Sequence, residues 1–321
     1  MSEKLAAVLV PGRIHPRVLE RLGETFELVT ASKEPAVGID PAVLARVRGV
    51  AVSGLFAPEW FDRLPNLEVI ANFGVGYDGV NTLKAAERGI VVTNTPDVLN
   101  DEVADTAIAL LLNTVRRLPQ AETWLREGRW KAEGPFPLVP LSLKGRHVGI
   151  VGLGRIGREI ASRLEPFKVR IGYHTRTPRE GLAYTHYASL RAMAEEVDTL
   201  ISVLPGTAET HKLFNAEIFS ALGPQGVFIN VGRGTSVDED ALIAALRNGT
   251  IAGAGLDVFY DEPNVPAELL EFPNVSLLPH VASASVPTRN AMADLVVNNL
   301  IGWFREGQVL TPVPETPVRR G

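Results

Sequence analysis

Arg233, Glu262 and His280 each stand just beyond an apolar run. Arg233 follows Val227-Phe228-Ile229-Asn230-Val231-Gly232, Glu262 follows residues 251–259 and the pair Tyr260-Asp261, and His280 follows residues 275–279. A planar guanidinium can hold both oxygens of a carboxylate and fix a carbonyl beside it. An imidazole can give or take a proton near neutral pH. A carboxylate hydrogen-bonded to that imidazole orients the ring and favours its protonated form. Together these types suit reduction of a ketone next to a carboxylate, a 2-oxo acid, where charge building on the ketone oxygen must be met by a proton. Singly, each has a plainer reading: Arg233 as a turn cap, Glu262 as solvated loop, His280 as a half-buried histidine. Their joint placement at three strand ends favours chemistry. No HExxH, GxSxG or Walker A run competes with them.

A reductant site is legible upstream. Val148-Gly149-Ile150-Val151 runs into Gly152-Leu153-Gly154-Arg155-Ile156-Gly157, and a helix follows with Ile156, Ile160 and Leu164 on one face. Gly152 permits a tight turn, Gly154 lets backbone approach a pyrophosphate, and Gly157 lets helix and strand pack closely. The helix N-terminus offers free N–H groups to phosphate oxygens. At the end of the next strand an NAD site usually carries an acid for the ribose 2′-OH. Here no acid lies between Glu165 and Glu180, and the stretch reads His174-Thr175-Arg176-Thr177-Pro178-Arg179. Arg176, with hydroxyl donors from Thr175 or Thr177, suits a 2′-phosphate. The expected cofactor is therefore NADP, with NAD kept as the alternative.

Three strand ends share one rim only if the strands lie parallel in one sheet, and ligands of open α/β sheets sit beyond the carboxyl ends. Residues 5–10, 26–29, 49–53, 67–71 and 90–93 predict strands of a first α/β domain. Several lack alternation, as parallel strands covered on both faces do. Asn100 is expected to cap a helix reaching residue 117, with Asp101 and Glu102 in its first turn, Arg116 and Arg117 in its last, and Ala107, Leu111 and Leu118 on one face. Residues 119–145, with Pro119, Pro135, Pro137, Pro140, Trp124 and Trp130, read as a partly helical arm. From Arg146 a second series begins, with strands at 147–151, 168–173, 197–203, 226–231, 251–258 and 275–279 and helices at 155–165, 187–195 and 238–248. That rhythm predicts a doubly wound parallel sheet. A last helix over 287–305 precedes a Pro-rich tail, 311–321, expected to run as an extended strap.

Bulk properties bound the reading. The chain has 321 residues, enough for two domains, and 45% hydrophobic residues exclude a disordered chain. A net charge of −5 without a basic run gives nucleic acid no face to bind. No apolar run is long enough to span a membrane, and Met1-Ser2-Glu3-Lys4 lacks a signal-peptide pattern. The absence of cysteine removes disulfides, thiolate metal sites and a thiol nucleophile, and fits a cytoplasmic location. No metal site is expected.

Asn230-Val231-Gly232-Arg233-Gly234, Gly255-Leu256-Asp257-Val258-Phe259-Tyr260-Asp261-Glu262-Pro263 and Leu278-Pro279-His280 resemble signatures of the D-isomer-specific 2-hydroxyacid dehydrogenases. Asn72-Phe73-Gly74-Val75-Gly76-Tyr77-Asp78 and Thr93-Asn94-Thr95-Pro96 look like the same family, so the resemblance covers nearly the whole chain. Among its branches, the glyoxylate/hydroxypyruvate reductases share the Arg-bearing loop after the second strand of the cofactor domain. The resemblance implies two Rossmann-like domains: a flavodoxin-like substrate domain of 1–98 plus 286–321, and an NAD(P)-binding domain, 99–285, inserted into it. It implies catalytic roles for Arg233, Glu262 and His280. Val75 and Gly76 would hold the substrate carboxylate through backbone N–H groups, and Leu55 would line the pocket; from the residues themselves, Gly54, Leu55 and Phe56 suggest a small apolar wall. Val231, Gly232 and Thr106 would contact the cofactor, and Asp257 the nicotinamide carboxamide. It also implies a homodimer whose 119–145 arm reaches the partner, with Trp130 or Phe136 entering the neighbouring pocket.

Three other readings stay open. Phosphoglycerate dehydrogenases share the three catalytic positions, but many carry a further C-terminal domain, and the Arg176 loop argues against NAD. Aryl-pyruvate reduction differs only in the size of the substrate. A dinucleotide-sensing corepressor on the same fold is the reading outside enzymes; retention of all three catalytic positions argues against it. Formate dehydrogenases are disfavoured, because formate oxidation needs no acid–base pair at a carbonyl.

Overall fold

Short aliphatic runs that lack a polar face are stable only as strands covered on both sides, and that is how this chain uses them. The computed structural model describes residues 4–35 and 39–316. The chain divides into two units, Met1–Leu99 with Ser283–Gly321, and Asn100–Ala282. Each is an α/β unit around one parallel sheet.

In the first unit the strands are β1 (Ala7–Pro11), β2 (Glu27–Ala31), β3 (Val47–Val52), β4 (Val69–Asn72) and β5 (Val91–Thr93). All pair in parallel in the order β2-β1-β3-β4-β5, the flavodoxin-like winding. Val8, Leu9, Val50, Val52, Ile70 and Val92 are each fully buried in it. The helix Val286–Glu306, capped by the Ser285 hydroxyl accepting from the Thr288 N–H, packs against Pro16–Thr25 and against β3 and β4. Asp294 on that helix pairs with Arg17 and Arg21. The tail then runs extended beside β5: Asn94 N–H donates to Thr311 C=O, Val313 N–H to Val92 C=O, and Val92 N–H to the Thr316 hydroxyl. Residues 317–321 of the expected strap lie outside the described residues.

In the second unit the strands are β6 (His147–Val151), β7 (Arg170–His174), β8 (Thr185–Tyr187), β9 (Thr199–Ser202), β10 (Val227–Asn230), β11 (Gly253–Leu256) and β12 (Val275–Leu277). Their order is β12-β11-β10-β9-β6-β7-β8, all parallel. The winding reverses between β6 and β9, which makes their carboxyl ends the ligand edge. The helix Asn100–Arg116 lies on β10, β11 and β12 and on the helix Arg155–Leu164, and Arg163 ties those two helices through Asp101 and Asp105.

Several local expectations are corrected. Asn100 is the first residue of its helix rather than its cap. Arg117 turns left-handed at φ 51°, so Leu118 opens a new helix, Leu118–Arg126, and is exposed instead of sharing the Ala107 and Leu111 face. The helix expected at 187–195 runs Leu190–Glu196, because Tyr187 belongs to edge strand β8. In the arm, Trp124 packs edge-on against Phe136 under the Arg129 guanidinium, while Trp130 is exposed.

Candidate active site

The rim of the second sheet is assembled by loops that only small residues allow to touch. Gly152 follows β6 at φ 96°, a conformation that glycine adopts without strain. A Cβ on Gly157 would lie 2.1 Å from the Gly152 carbonyl oxygen, so no larger residue fits where the helix Arg155–Leu164 meets the strand. Gly154 faces open space and has no side-chain cap, leaving the first N–H groups of that helix to an external acceptor. Leu153 is buried, while Arg155 is exposed and Ile156 half-buried. Beside this turn lies a cavity of about 450 Å³ lined by residues that include Gly152, Gly154, His174, Thr175, Arg176, Thr177, Arg179 and Thr207. The donor set suits a dinucleotide: free backbone N–H groups for a pyrophosphate and a basic loop at the end of β7. The Thr175 hydroxyl donates to the Thr177 carbonyl at 2.8 Å, so its proton is already committed, and Thr177 is the hydroxyl left to donate outward.

Next along the rim, Val231 N–H donates to Ser202 C=O and Gly232 N–H to the Asn230 side chain. Arg233 then leaves β10. The Asn230 amide and the Ser236 hydroxyl both donate to the Arg233 carbonyl, and Arg233 Nη1 donates to Gly232 C=O. A Cβ on Gly234 would lie 1.9 Å from the Phe259 carbonyl carbon. That contact brings the Arg233 loop against the loop that carries Glu262.

Glu262 and His280 form a pair. His280 Nδ1 and Glu262 Oε2 are 2.7 Å apart, and Glu262 Oε1 accepts from Phe259 N–H at 3.0 Å. Burial alone would raise the Glu262 carboxyl. The hydrogen bonds from His280 and Phe259 and the charges of His280 and Arg233 outweigh it and hold the carboxyl below its ordinary value. With Nδ1–H donated to Glu262, the imidazole keeps Nε2 for a substrate.

His280 has φ 53°, uncommon outside glycine, and Asp257 keeps it there. The Asp257 carbonyl accepts from His280 N–H, and its two carboxylate oxygens accept from Val281 and Ala282 N–H at 2.7 and 3.0 Å. Burial pushes the Asp257 carboxyl up, against those two hydrogen bonds. Asp257, 1% exposed, is thus a splint under the histidine loop, a role the linear sequence does not disclose. Thr106 donates to the Ala282 carbonyl on the same loop.

The first unit carries the remaining expected residues. The carbonyl of Gly74 accepts from Asn72 Nδ2 and Thr95 N–H, that of Val75 from Asn94 Nδ2, and that of Gly76 from Asn72 Nδ2. With those carbonyls turned to internal donors, the N–H groups of Val75 and Gly76 have no acceptor among the described residues. Leu55 is half exposed, and its loop touches Gly79, where a Cβ would meet the Gly54 carbonyl at 2.4 Å. Phe56 is no part of an exposed wall: it is 1% exposed and packs edge-on against Phe61.

A parallel-sheet rim with a glycine-rich phosphate turn and an arginine beside a carboxylate–imidazole pair defines a dinucleotide-dependent oxidoreductase. Residues 108–282 match the model of the D-isomer specific 2-hydroxyacid dehydrogenase, NAD binding domain, and this chain belongs to that family. It is 65% identical to the solved NADPH-dependent glyoxylate/hydroxypyruvate reductase from Sinorhizobium meliloti in complex with NADP and malonate, over 99% of both chains with a TM-score of 0.97. It is 49% identical over 250 residues to glyoxylate/hydroxypyruvate reductase A of Arabidopsis thaliana, 78% of this chain and 79% of that one. It is 44% identical over 298 residues to hydroxyphenylpyruvate reductase of Plectranthus scutellarioides, 92% of this chain and 94% of that one.

Proposed function

We propose that this protein reduces a small 2-oxo acid with NADPH, glyoxylate to glycolate or hydroxypyruvate to the D-2-hydroxy acid. The observation that carries the reading is the 2.7 Å pair of Glu262 and His280 on the rim that also holds Arg233 and the phosphate turn. The unit Asn100–Ala282 is the cofactor unit. Residues 152–157, Arg176, Thr177, Val231, Gly232, Thr106 and Asp257 hold the dinucleotide there, with Thr175 shaping its loop. Bound there, NADPH supplies the hydride that reaches the ketone carbon. Arg233 grips the carboxylate and the ketone oxygen and fixes the carbonyl plane. As charge builds on that oxygen, His280 passes it the Nε2 proton, and Glu262 stabilises the imidazolium until the proton leaves. Val75 and Gly76 offer N–H groups to the substrate carboxylate, and Leu55 contributes an apolar wall.

The test is NADPH oxidation on adding glyoxylate, hydroxypyruvate or hydroxyphenylpyruvate, each run also with NADH. Turnover with either small acid is expected. Tight dinucleotide binding without turnover of any oxo acid would favour a sensor on the same fold. Preference for the aryl substrate would move the assignment toward the reading that the Plectranthus relative's name suggests.

Arg176→Ala tests the cofactor assignment. NADPH alone carries the 2′-phosphate, and a charge-assisted contact is worth about 1.5–3 kcal/mol. The ratio of KM for NADPH to KM for NADH should therefore rise about ten- to a hundredfold. An unchanged ratio would make Arg176 merely structural.

The chain works as a homodimer in the cytoplasm under this reading. In the arm Trp130 is 62% exposed, with Leu125 and Leu138 also exposed, whereas Phe136 is engaged by Trp124. That favours Trp130 as the residue meeting the partner. No described helix is long and apolar enough to cross a membrane. Light scattering on the eluted protein should give twice the chain mass of 34.7 kDa.

A further inference from the structure

Two arginines of the basic loop lack the carboxylate partner that many others in this chain have. Arg17, Arg21, Arg46, Arg48, Arg126, Arg129, Arg146, Arg163 and Arg191 each pair with a carboxylate. Arg176 and Arg179 are exposed, line the same cavity, and have no ion-pair partner among the described residues. Like charges lining one cavity repel, and a loop free to move would separate them.

This loop is held in place. Tyr173, the penultimate residue of β7, is 2% exposed, yet its hydroxyl accepts from Arg179 N–H at 2.8 Å and donates to Arg179 C=O at 3.3 Å. His186 on β8 donates Nε2–H to the Thr175 carbonyl at 3.0 Å and packs against the Tyr173 ring. Thr175 donates to Thr177 C=O. The span from residue 174 to 179 is thereby pinned at both ends from within the sheet. A phenylalanine would serve packing equally well. A buried hydroxyl that binds both polar groups of one backbone residue serves the position of that residue.

We propose that Tyr173 is a positioning residue for cofactor choice: its hydroxyl fixes Arg179 across the loop from Arg176, so that the two guanidiniums together receive the 2′-phosphate of the dinucleotide. The inference rests on the NADPH reading above. Glu209 also lines the cavity, and the Thr207 hydroxyl donates to it; two cations against one carboxylate leave the cavity attractive to a phosphate dianion. With the Arg179 backbone fixed, its guanidinium starts from the rim of the same cavity as Arg176, and less backbone freedom is lost on binding.

The experiment is steady-state kinetics with NADPH and NADH on the full-length wild type, Tyr173→Phe, Arg179→Ala and the double variant, with Tm for each. Tyr173→Phe keeps the ring and removes both bonds. It should raise the ratio of KM(NADPH) to KM(NADH) about three- to tenfold, the range for one modest hydrogen bond, with kcat on NADPH unchanged. Arg179→Ala should raise the same ratio about tenfold or more. The double variant should match Arg179→Ala, since a clamp has no effect on a cation that is absent. Equal rises in both KM values for Tyr173→Phe, or full additivity in the double variant, would overturn the inference. If Tyr173→Phe lowers Tm too far to assay, an unchanged ratio in Arg179→Ala, an exposed position, overturns it alone. A wild type that prefers NADH overturns the NADPH reading and this inference with it; a wild type that prefers NADPH, with unmoved ratios in the variants, overturns this inference only.

Discussion

Arg233→Lys should lower kcat/KM for the oxo acid by about a hundredfold with dinucleotide affinity little changed. Lysine keeps the positive charge near Glu262, so the electrostatic part of the Arg233 contribution survives. What it loses is the planar fork that can hold two oxygens in one plane. The backbone beneath the side chain is fixed mainly by other groups, the guanidinium adding one bond from Nη1 to the Gly232 carbonyl. Asn230 and Ser236 donate to the Arg233 carbonyl, and Gly234 sits against Phe259 where no Cβ could stand. The substitution therefore tests the guanidinium and not the loop. If the fork aligns the carbonyl for hydride attack, the fall should appear in kcat as well as in KM, because misalignment raises the barrier from the bound state. Steady-state kinetics with glyoxylate, alongside calorimetric titration of NADP⁺, separates the two. Near-normal turnover in this variant would remove Arg233 from the mechanism.

The parts of the site that the sequence discloses are those whose chemistry is local. Residues 152–157 carry their own reason, a turn and a helix start within six positions. Arg233, Glu262 and His280 stand out because each is a polar residue at the end of a strand-like run. What the linear order leaves hidden depends on distance in space. Thr185-His186-Tyr187 has no apolar run to announce a strand, yet it pairs with Gly172-Tyr173-His174 as edge strand β8. Ala216–Leu222 is a seven-residue helix capped by Asn215, too short for a convincing period. Leu118 fits the face of Ala107 and Leu111 on a continuous helix, and only the left-handed turn at Arg117 breaks that register. Asp257 lies 23 residues before His280, and nothing in the linear order says that its carboxylate would bond the two N–H groups after the histidine. Tyr173 reads as one more buried aromatic; its hydroxyl acquires meaning from where Arg179 returns.

The proton supply yields the largest expected effect. His280→Ala should lower turnover by about two to four orders of magnitude, the range for a positioned acid–base group, while dinucleotide binding survives at a turn on other strands. Glu262→Gln then asks whether the pair acts as one. Glu262 is held below the ordinary carboxylate value chiefly by bonds and charge from His280 and Phe259, against its burial. It therefore stays ionised through the whole neutral range, and the pairing is lost only as pH falls below that ordinary value. Reduction needs the imidazolium, so its rate falls as pH rises and the proton is lost. Glu262→Gln takes away the carboxylate charge 2.7 Å from Nδ1, and the alkaline limb of kcat/KM for reduction should then move to lower pH. Oxidation of the hydroxy acid needs the neutral ring as base, so the same substitution should extend its activity toward lower pH, with a lower maximum if ring orientation suffers. A merely structural Glu262 would lower both rates without moving either limb. If both limbs in Glu262→Gln coincide with those of the unmodified enzyme, Glu262 does not tune His280, and the proton is governed by the histidine and its solvent alone.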